Sequence, residues 1–215
     1  MEKVIIGQEL LRFDVVTSTN DVAKQCAAAG CVEGLVVIAD QQTAGRGQNA
    51  NQWHSAAGKG LYFSVVIRPQ CRPENIKLFS LLAGVALNSS LRSVCGVESL
   101  IKWPNDIYCN SQKLAGVLCE AVWQGESTEC VVIGIGVNIT HNRNDYSCDL
   151  IDSATSLKLL GCAKLDKEII LSGILKQLDI WYQLTAQFGF AAIATLYNAQ
   201  KTATSQPFFL SLIHI

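Results

Sequence analysis

The run Val132-Ile133-Gly134-Ile135-Gly136-Val137-Asn138-Ile139 restricts the fold more than any other segment of the 215-residue chain. Its β-branched residues read as a buried strand. Residues two apart in a strand share a face, so Gly134 and Gly136 leave one face bare. Such a gap leaves room for a ligand or a second backbone against the sheet. Two phosphate-binding loops are excluded. No third glycine completes a dinucleotide fingerprint, no helix start follows, and no Walker loop occurs elsewhere. Any nucleotide has to be held by other means.

Around this run, alternation and β-branched enrichment predict strands near 34–39, 60–67, 97–102, 114–123 and 130–138. Helical spacing predicts helices near 20–29, 73–94 and 166–198. Asn20 is placed to cap the first, with Asp21 in its first turn and Gly30 at its end. Pro73 stands early in the second, whose Leu78, Leu81, Leu82 and Val85 form a core-facing stripe. Helix, strands, helix, several strands and helices is the order of an α+β fold, a mixed β-sheet packed with helices. No repeat, linker or low-complexity stretch is seen.

Composition narrows the function classes. Hydrophobic residues make up 49%, charged residues 16%, and net charge is −1, so nothing suggests a general nucleic-acid or anionic-membrane surface. The nine cysteines include no Cys-x-x-Cys pair. They read as small buried hydrophobes in a reducing cytosol, and the three scattered histidines give no zinc pattern. The N-terminus lacks a signal-peptide pattern, and no stretch of about 18 uninterrupted apolar residues occurs. A cytoplasmic protein that binds neither DNA nor membrane is expected.

Two further segments carry chemistry. Gln41-Gln42-Thr43-Ala44-Gly45-Arg46-Gly47-Gln48 follows a strand-like run. Glycines on both sides of Arg46 let the backbone approach a ligand, and the arginine can fork onto a carboxylate or phosphate. Alone, Gly-Arg-Gly equally fits a loop with no ligand. Polar sequence continues to Trp53, as in a segment that orders around a ligand. In Lys102-Trp103-Pro104-Asn105-Asp106, Pro104 holds Trp103 extended, so Lys102 and Asp106 flank a rigid turn. A hairpin through Asn110-Ser111-Gln112 would return Lys113 to that turn. An acid and a lysine paired there could hold a carboxylate beside a metal-bound triphosphate, although a capped turn with a surface lysine is the plainer alternative.

Read together, Ser18-Thr19-Asn20, the glycine loop, "KWPND", "KLAG" at Lys113–Gly116 and "GIGVNI" resemble the catalytic domain of the biotin–protein ligases. These are related to lipoate ligases and octanoyltransferases, and the likeness runs from about Thr17 to about Tyr197. The resemblance implies a class II synthetase-like domain that makes biotinyl-5′-adenylate from biotin and MgATP. Biotin then passes to a lysine of a biotin carboxyl carrier domain of a carboxylase. It assigns Ser18, Thr19, Asn20, Gln42, Arg46, Gly47, Gln48, Lys113 and Gly116 to biotin. It assigns Arg46, Trp53, Lys102, Asn105 and Asn138 to the nucleotide, and Arg46, Lys102, Asp106 and Lys113 to catalysis. ATP and Mg²⁺ are the implied cofactors, and oligomerisation is open. A lipoate–protein ligase and a non-catalytic biotin-binding module are the alternatives.

The chain also departs from the family. Gln48-Asn49-Ala50 stands where a more basic loop ending in glycine is usual, which predicts weaker retention of the adenylate. Met1 begins too close to the biotin segment for the family's helix-turn-helix. Residues 202–215 read as a final strand or as foreign sequence (210–215 match translated sequencing adapter), with the family's small C-terminal β-barrel missing.

Overall fold

The computed structural model describes residues 4–48, 51–69, 75–124 and 127–201. The elements, in chain order, are β1 (Leu10–Val16), α1 (Thr19–Ala28), β2 (Val36–Gln42), β3 (Gly60–Ile67), α2 (Ile76–Cys95), β4 (Leu100–Lys102), β5 (Asp106–Cys109), β6 (Gln112–Gln124), β7 (Ser127–Asn138), α3 (Lys167–Phe188) and α4 (Ala191–Gln200). A short 3₁₀ turn, Arg143–Asp145, follows β7. The strands form one seven-stranded sheet ordered β1-β2-β3-β7-β6-β5-β4. β1 runs parallel to β2 and the other pairings are antiparallel, so the sheet is mixed, as expected.

Strand periodicity sorts side chains onto two faces. Val36, Ile38, Phe63, Val65, Ile133, Ile135 and Val137 join Leu78, Leu82, Val85 of α2 and Ile170, Ile174, Leu178 of α3 in the main core. The alternate positions Val37, Val66, Cys130 and Val132 pack against Ala23 and Ala27 of α1 in a smaller cluster. Further along β7, Gly134 and Gly136 continue that second face. The smaller cluster therefore opens into a site where the side chains stop.

α2 is long and apolar enough to cross a membrane by length and composition, but it is mostly buried between the sheet and α3. Its last turn ends at Gly96, which takes φ +68°, the left-handed conformation that suits a C-terminal glycine. Gly30, at φ +81°, closes α1 in the same way.

Several expectations need correction. The stretch read as one helix over 166–198 is two, because Gly189 (φ +74°) stops α3 and turns Phe190 edge-on to Phe79 at 5.3 Å. Asn20 is not the cap of α1. Ser18 holds the N-cap position, and Asn20 lies inside the helix with its side chain buried against the sheet. The strand expected over 97–102 spans only Leu100–Lys102, β1 is an addition, and β5 is expected only as the first arm of the hairpin. Among the described cysteines, all free, Cys109 and Cys130 are buried while Cys148 is exposed, so only some act as buried hydrophobes. Pro73, Asn49, Ala50 and the 202–215 tail lie outside the described residues.

Candidate functional site: a polar cavity over a glycine floor

The sheet register builds the floor. Gly136 faces Tyr62 on β3 and Gly116 on β6, while Gly134 faces Ser64 and Leu118. A methyl group on Gly134 would overlap the Asn20 carboxamide, and one on Gly136 would lie 2.5 Å from the Trp53 ring. The bare face is thus filled from above by Asn20 at one end and Trp53 at the other. Between them lies a cavity of about 280 Å³.

At the α1 end the lining is polar, buried and cross-linked. The Ser64 hydroxyl lies 2.7 Å from Thr19 Oγ1 and 2.6 Å from Asn20 Oδ1, to which it donates. Asn20 Nδ2 donates to Glu120 Oε2 at 2.6 Å. Gln42 Oε1 accepts from the Thr19 amide at 2.9 Å, and its Nε2 donates to Ser55 Oγ. Ser18, Thr19 and Asn20 are each 3% exposed, so this wall is fixed before any ligand arrives. From sequence Asn20 reads as a cap residue, but the gap over Gly134 draws its side chain across to the sheet.

The opposite wall is the predicted hairpin. β5 and β6 are joined by a two-residue turn in which Asn110 (φ 48°) and Ser111 (φ 64°) are both left-handed, the twist that a tight hairpin needs. It brings Lys113 Nζ to 2.6 Å from Asp106 Oδ2. The same ammonium lies 5.5 Å from the centre of the Trp53 ring. Below the turn, Asn105 is fully buried and donates to the Val117 carbonyl at 2.8 Å. The Trp103–Pro104 peptide is cis, and Trp103 meets Tyr197 of α4 edge-on at 5.8 Å.

The roof is the glycine loop. The Trp53 amide donates to the Gly45 carbonyl at 2.9 Å, and the Gly47 amide donates to the Asn51 carbonyl at 2.7 Å. Gly45 cannot carry a side chain here, because its Cβ would lie 2.8 Å from the Trp53 carbonyl oxygen. Gln48 reaches Asn105 Oδ1 at 3.1 Å, tying roof to hairpin. Arg46 forks onto Asp21, Nη1 to Oδ2 at 2.7 Å and Nη2 to Oδ1 at 2.6 Å, with Glu120 3.3 Å from Nη2. The Arg46 hydrogen bond holds the Asp21 carboxyl below its usual range, and the same bond raises Arg46. Burial pushes the Glu120 carboxyl up, but hydrogen bonds from Lys24 and Asn20 and the charges of Lys24 and Arg46 outweigh it, so the net shift is down.

A second cavity of about 300 Å³ adjoins the first and shares Asn51, Gln52, Trp53 and Lys113 with it. Its other lining includes His54, Tyr108, Asn138, Tyr146 and Leu150. Asn138 Nδ2 and the Tyr146 hydroxyl both donate to the Thr155 carbonyl, each at 2.9 Å. Behind Tyr146, the His141 ring stacks at 5.3 Å and 12°. Trp53 Nε1 is buried over Gly136 with no hydrogen-bond partner among the described residues.

The structure therefore gathers Ser18, Thr19, Asn20, Gln42, Arg46, Gly47, Gln48, Trp53, Asp106, Lys113 and Gly116 around one cavity, and places Asn138 in the next. Lys102 and Asn105 line neither. The Lys102 ammonium sits 4.8 Å over the Tyr108 ring, and Asn105 is a buried anchor. Sequence reasoning overlooked Asp21 as a partner of Arg46, Ser64 and Glu120 on the site face, and the Tyr146–His141 stack. Glu120 could have been found by period two, since Gly116, Leu118 and Glu120 share one face of β6.

Comparison with known proteins identifies the family. The family model described as "Biotin/lipoate A/B protein ligase family" matches residues 12–138. The bifunctional ligase/repressor BirA of Bacillus subtilis is 35% identical over 91% of this chain, which spans 60% of that relative's length. The biotin–[acetyl-CoA-carboxylase] ligase of Paracoccus denitrificans is 30% identical over 88% of this chain and 80% of its own. The biotin protein ligase from Aquifex aeolicus in complex with biotin and ATP superposes with a TM-score of 0.77 at 26% identity, over 91% of this chain and 79% of that one. With the family model matching more than half of it and these relatives in line, the chain belongs to the biotin/lipoate A/B protein ligase family.

Proposed function

We propose that this chain joins biotin to ATP as biotinyl-5′-adenylate and passes the biotinyl group to a lysine of a biotin carboxyl carrier domain in the cytoplasm. One observation carries the reading: two cavities meet at Trp53 and Lys113, with Lys113 paired to Asp106 at 2.6 Å. The first cavity suits the vitamin. Biotin's ureido ring both donates and accepts, which matches the hydroxyls of Ser18 and Thr19 and the amides around Asn20 and Gln42. The second cavity, with Trp53, Tyr146 and Asn138, suits the nucleoside.

In the first step a carboxylate oxygen of biotin attacks the α-phosphorus of ATP, and the bond to pyrophosphate breaks. Two anions must approach, so Lys113 and Arg46 offset their repulsion. In the second, the neutral amine of the carrier lysine attacks the acyl carbon, AMP leaves, and the amine loses a proton. Asp106, beside the carboxylate end of the cavity, is placed to take it. Among the described residues no cluster of three metal-binding side chains occurs. Mg²⁺ commonly binds through substrate phosphates and one or two carboxylates, which fits Asp106 as a single protein ligand. When bound, the ion would neutralise phosphate charge.

The lipoate alternative is disfavoured because a dithiolane ring has no groups to satisfy the polar α1 wall. Offering the chain a carrier domain with ATP and either biotin or lipoate tests the reading. Biotinylation without lipoylation is expected. Lipoylation alone would transfer the function to lipoate, and biotin binding without transfer would make the chain a binding module.

A further inference from the structure

The cations lining the cavity are paired with acids of the chain. Arg46 is the one charged residue in the loop from Ala44 to Trp53. Both of its terminal nitrogens are engaged by Asp21, and Nη2 also faces Glu120. Glu120 and Asp21 together balance Arg46 and Lys24, and Asp106 balances Lys113. A ligand carboxylate therefore meets little net positive charge, and must gain its ion pair by exchange.

The two acids differ in how firmly they are held. Glu120 also accepts from Asn20 at 2.6 Å and Lys24 at 2.7 Å, so it keeps partners if Arg46 leaves. Asp21 presents a carboxylate in the two-pronged geometry that a substrate carboxylate would use on a guanidinium. It stands in the first turn of α1, where the exposed amide dipoles stabilise an anion after its partner departs. Exchange at Asp21 thus strands no buried charge.

We propose that Asp21 is an internal competitor for the ligand carboxylate, holding Arg46 against α1 until the ligand exchanges for it. This rests on the biotin reading and deepens it: Asp21 is a positioning residue that tunes how strongly the site prefers an anionic ligand over a neutral one of the same shape. Binding exchanges Asp21 for the ligand carboxylate as the partner of Arg46.

Calorimetric titration at low ionic strength tests this, with biotin and with biotinol, in which a neutral alcohol replaces the carboxylate. Asp21→Asn should tighten biotin by about 10-fold, the scale of losing one competing charge-assisted pair, and change biotinol by less than about 2-fold. Asp21→Glu, which keeps a carboxylate, should stay within about 3-fold of the unaltered chain. In an Arg46→Gln background the Asp21→Asn effect should vanish. The proposal is overturned if Asp21→Asn leaves biotin affinity unchanged or weaker, shifts both ligands equally, or acts without Arg46. An unaltered chain that binds neither ligand would instead overturn the biotin reading on which the proposal rests.

Discussion

On one side of the first cavity, Asp106 and Lys113 hang from a hairpin inside the seven-stranded sheet, braced below by the buried Asn105. On the other, Arg46 rides on a loop held by a few backbone bonds and by ion pairs to side chains a quarter or more exposed. Backbone ladders fix position to a fraction of an ångström, whereas solvent-screened ion pairs can be exchanged at low cost. The chain places Asp106 and Lys113 on the first kind of support and Arg46 on the second. That division suits the proposed function, in which the site holds a reactive adenylate and still admits a protein-borne lysine.

The largest predicted effect tests the fixed wall. Lys113→Ala should lower biotin-dependent adenylate formation by roughly 10²–10³-fold, the scale of losing one aligned stabiliser of developing charge. Its melting temperature should move little, because the Lys113–Asp106 pair is partly exposed. A rate within 3-fold of the unaltered protein, in the range of about one weak hydrogen bond, would remove Lys113 from the chemistry.

A pH experiment separates the two walls further. Burial, followed by the charges of His54 and Lys59 and against that of Asp145, lowers His141 to about 4 from 6.5. The folded chain therefore keeps His141 neutral while the unfolded chain protonates below about 6.5. Stability present above pH 6.5 is lost as pH falls towards 4. Between pH 7.5 and 5.0 the loss should be about 2 kcal/mol, or roughly 4–8 °C in melting temperature. It acts through the Tyr146 stack beneath the second cavity, not through the Arg46 loop, where Asp21 is already held in its charged form. Thermal melts of the chain and of His141→Gln check this; a pH dependence that survives the substitution would assign it elsewhere.

Smaller effects should sort the same way. Asn105→Ala leaves the Val117 carbonyl and the Gln48 amide without their partner, for a cost of about 1–3 kcal/mol measurable by denaturant unfolding. Gly136→Ala drives a methyl into the Trp53 ring and should weaken biotin and ATP by about 10-fold each. Gly47→Ala meets only Asn51, its carbonyl oxygen at 3.5 Å and its Cβ at 3.8 Å, and should cost less than about 0.5 kcal/mol in stability and ligand affinity. Equal losses from the two glycine substitutions would erase the distinction between floor and roof.

Much of the architecture was legible because burial and periodicity coincide. β3 is buried at every position and α2 carries an unbroken apolar stripe, so each announces itself. β1 does not, since this edge strand is exposed along most of its length and its apolar residues do not alternate with a buried face. β5 has only four residues and hides within a stretch that reads as a turn. The α3–α4 break depends on one glycine inside an apolar pattern that continues on both sides. At the site, motif and spacing located the lining but not its wiring. Asn20 looks like a cap because the residue that diverts it, Gly134, lies on a strand far away in sequence. Arg46 looks like a free anion binder because Asp21 and Glu120 approach it only after α1 and β6 fold together.

The most direct test of biotin activation is exchange of labelled pyrophosphate into ATP with and without biotin. The geometry at Lys113 and Trp53 predicts exchange that requires biotin, is not supported by lipoate, and falls with Lys113→Ala. Exchange absent under biotin, or equal with and without it, would contradict the activation chemistry assigned to this cavity.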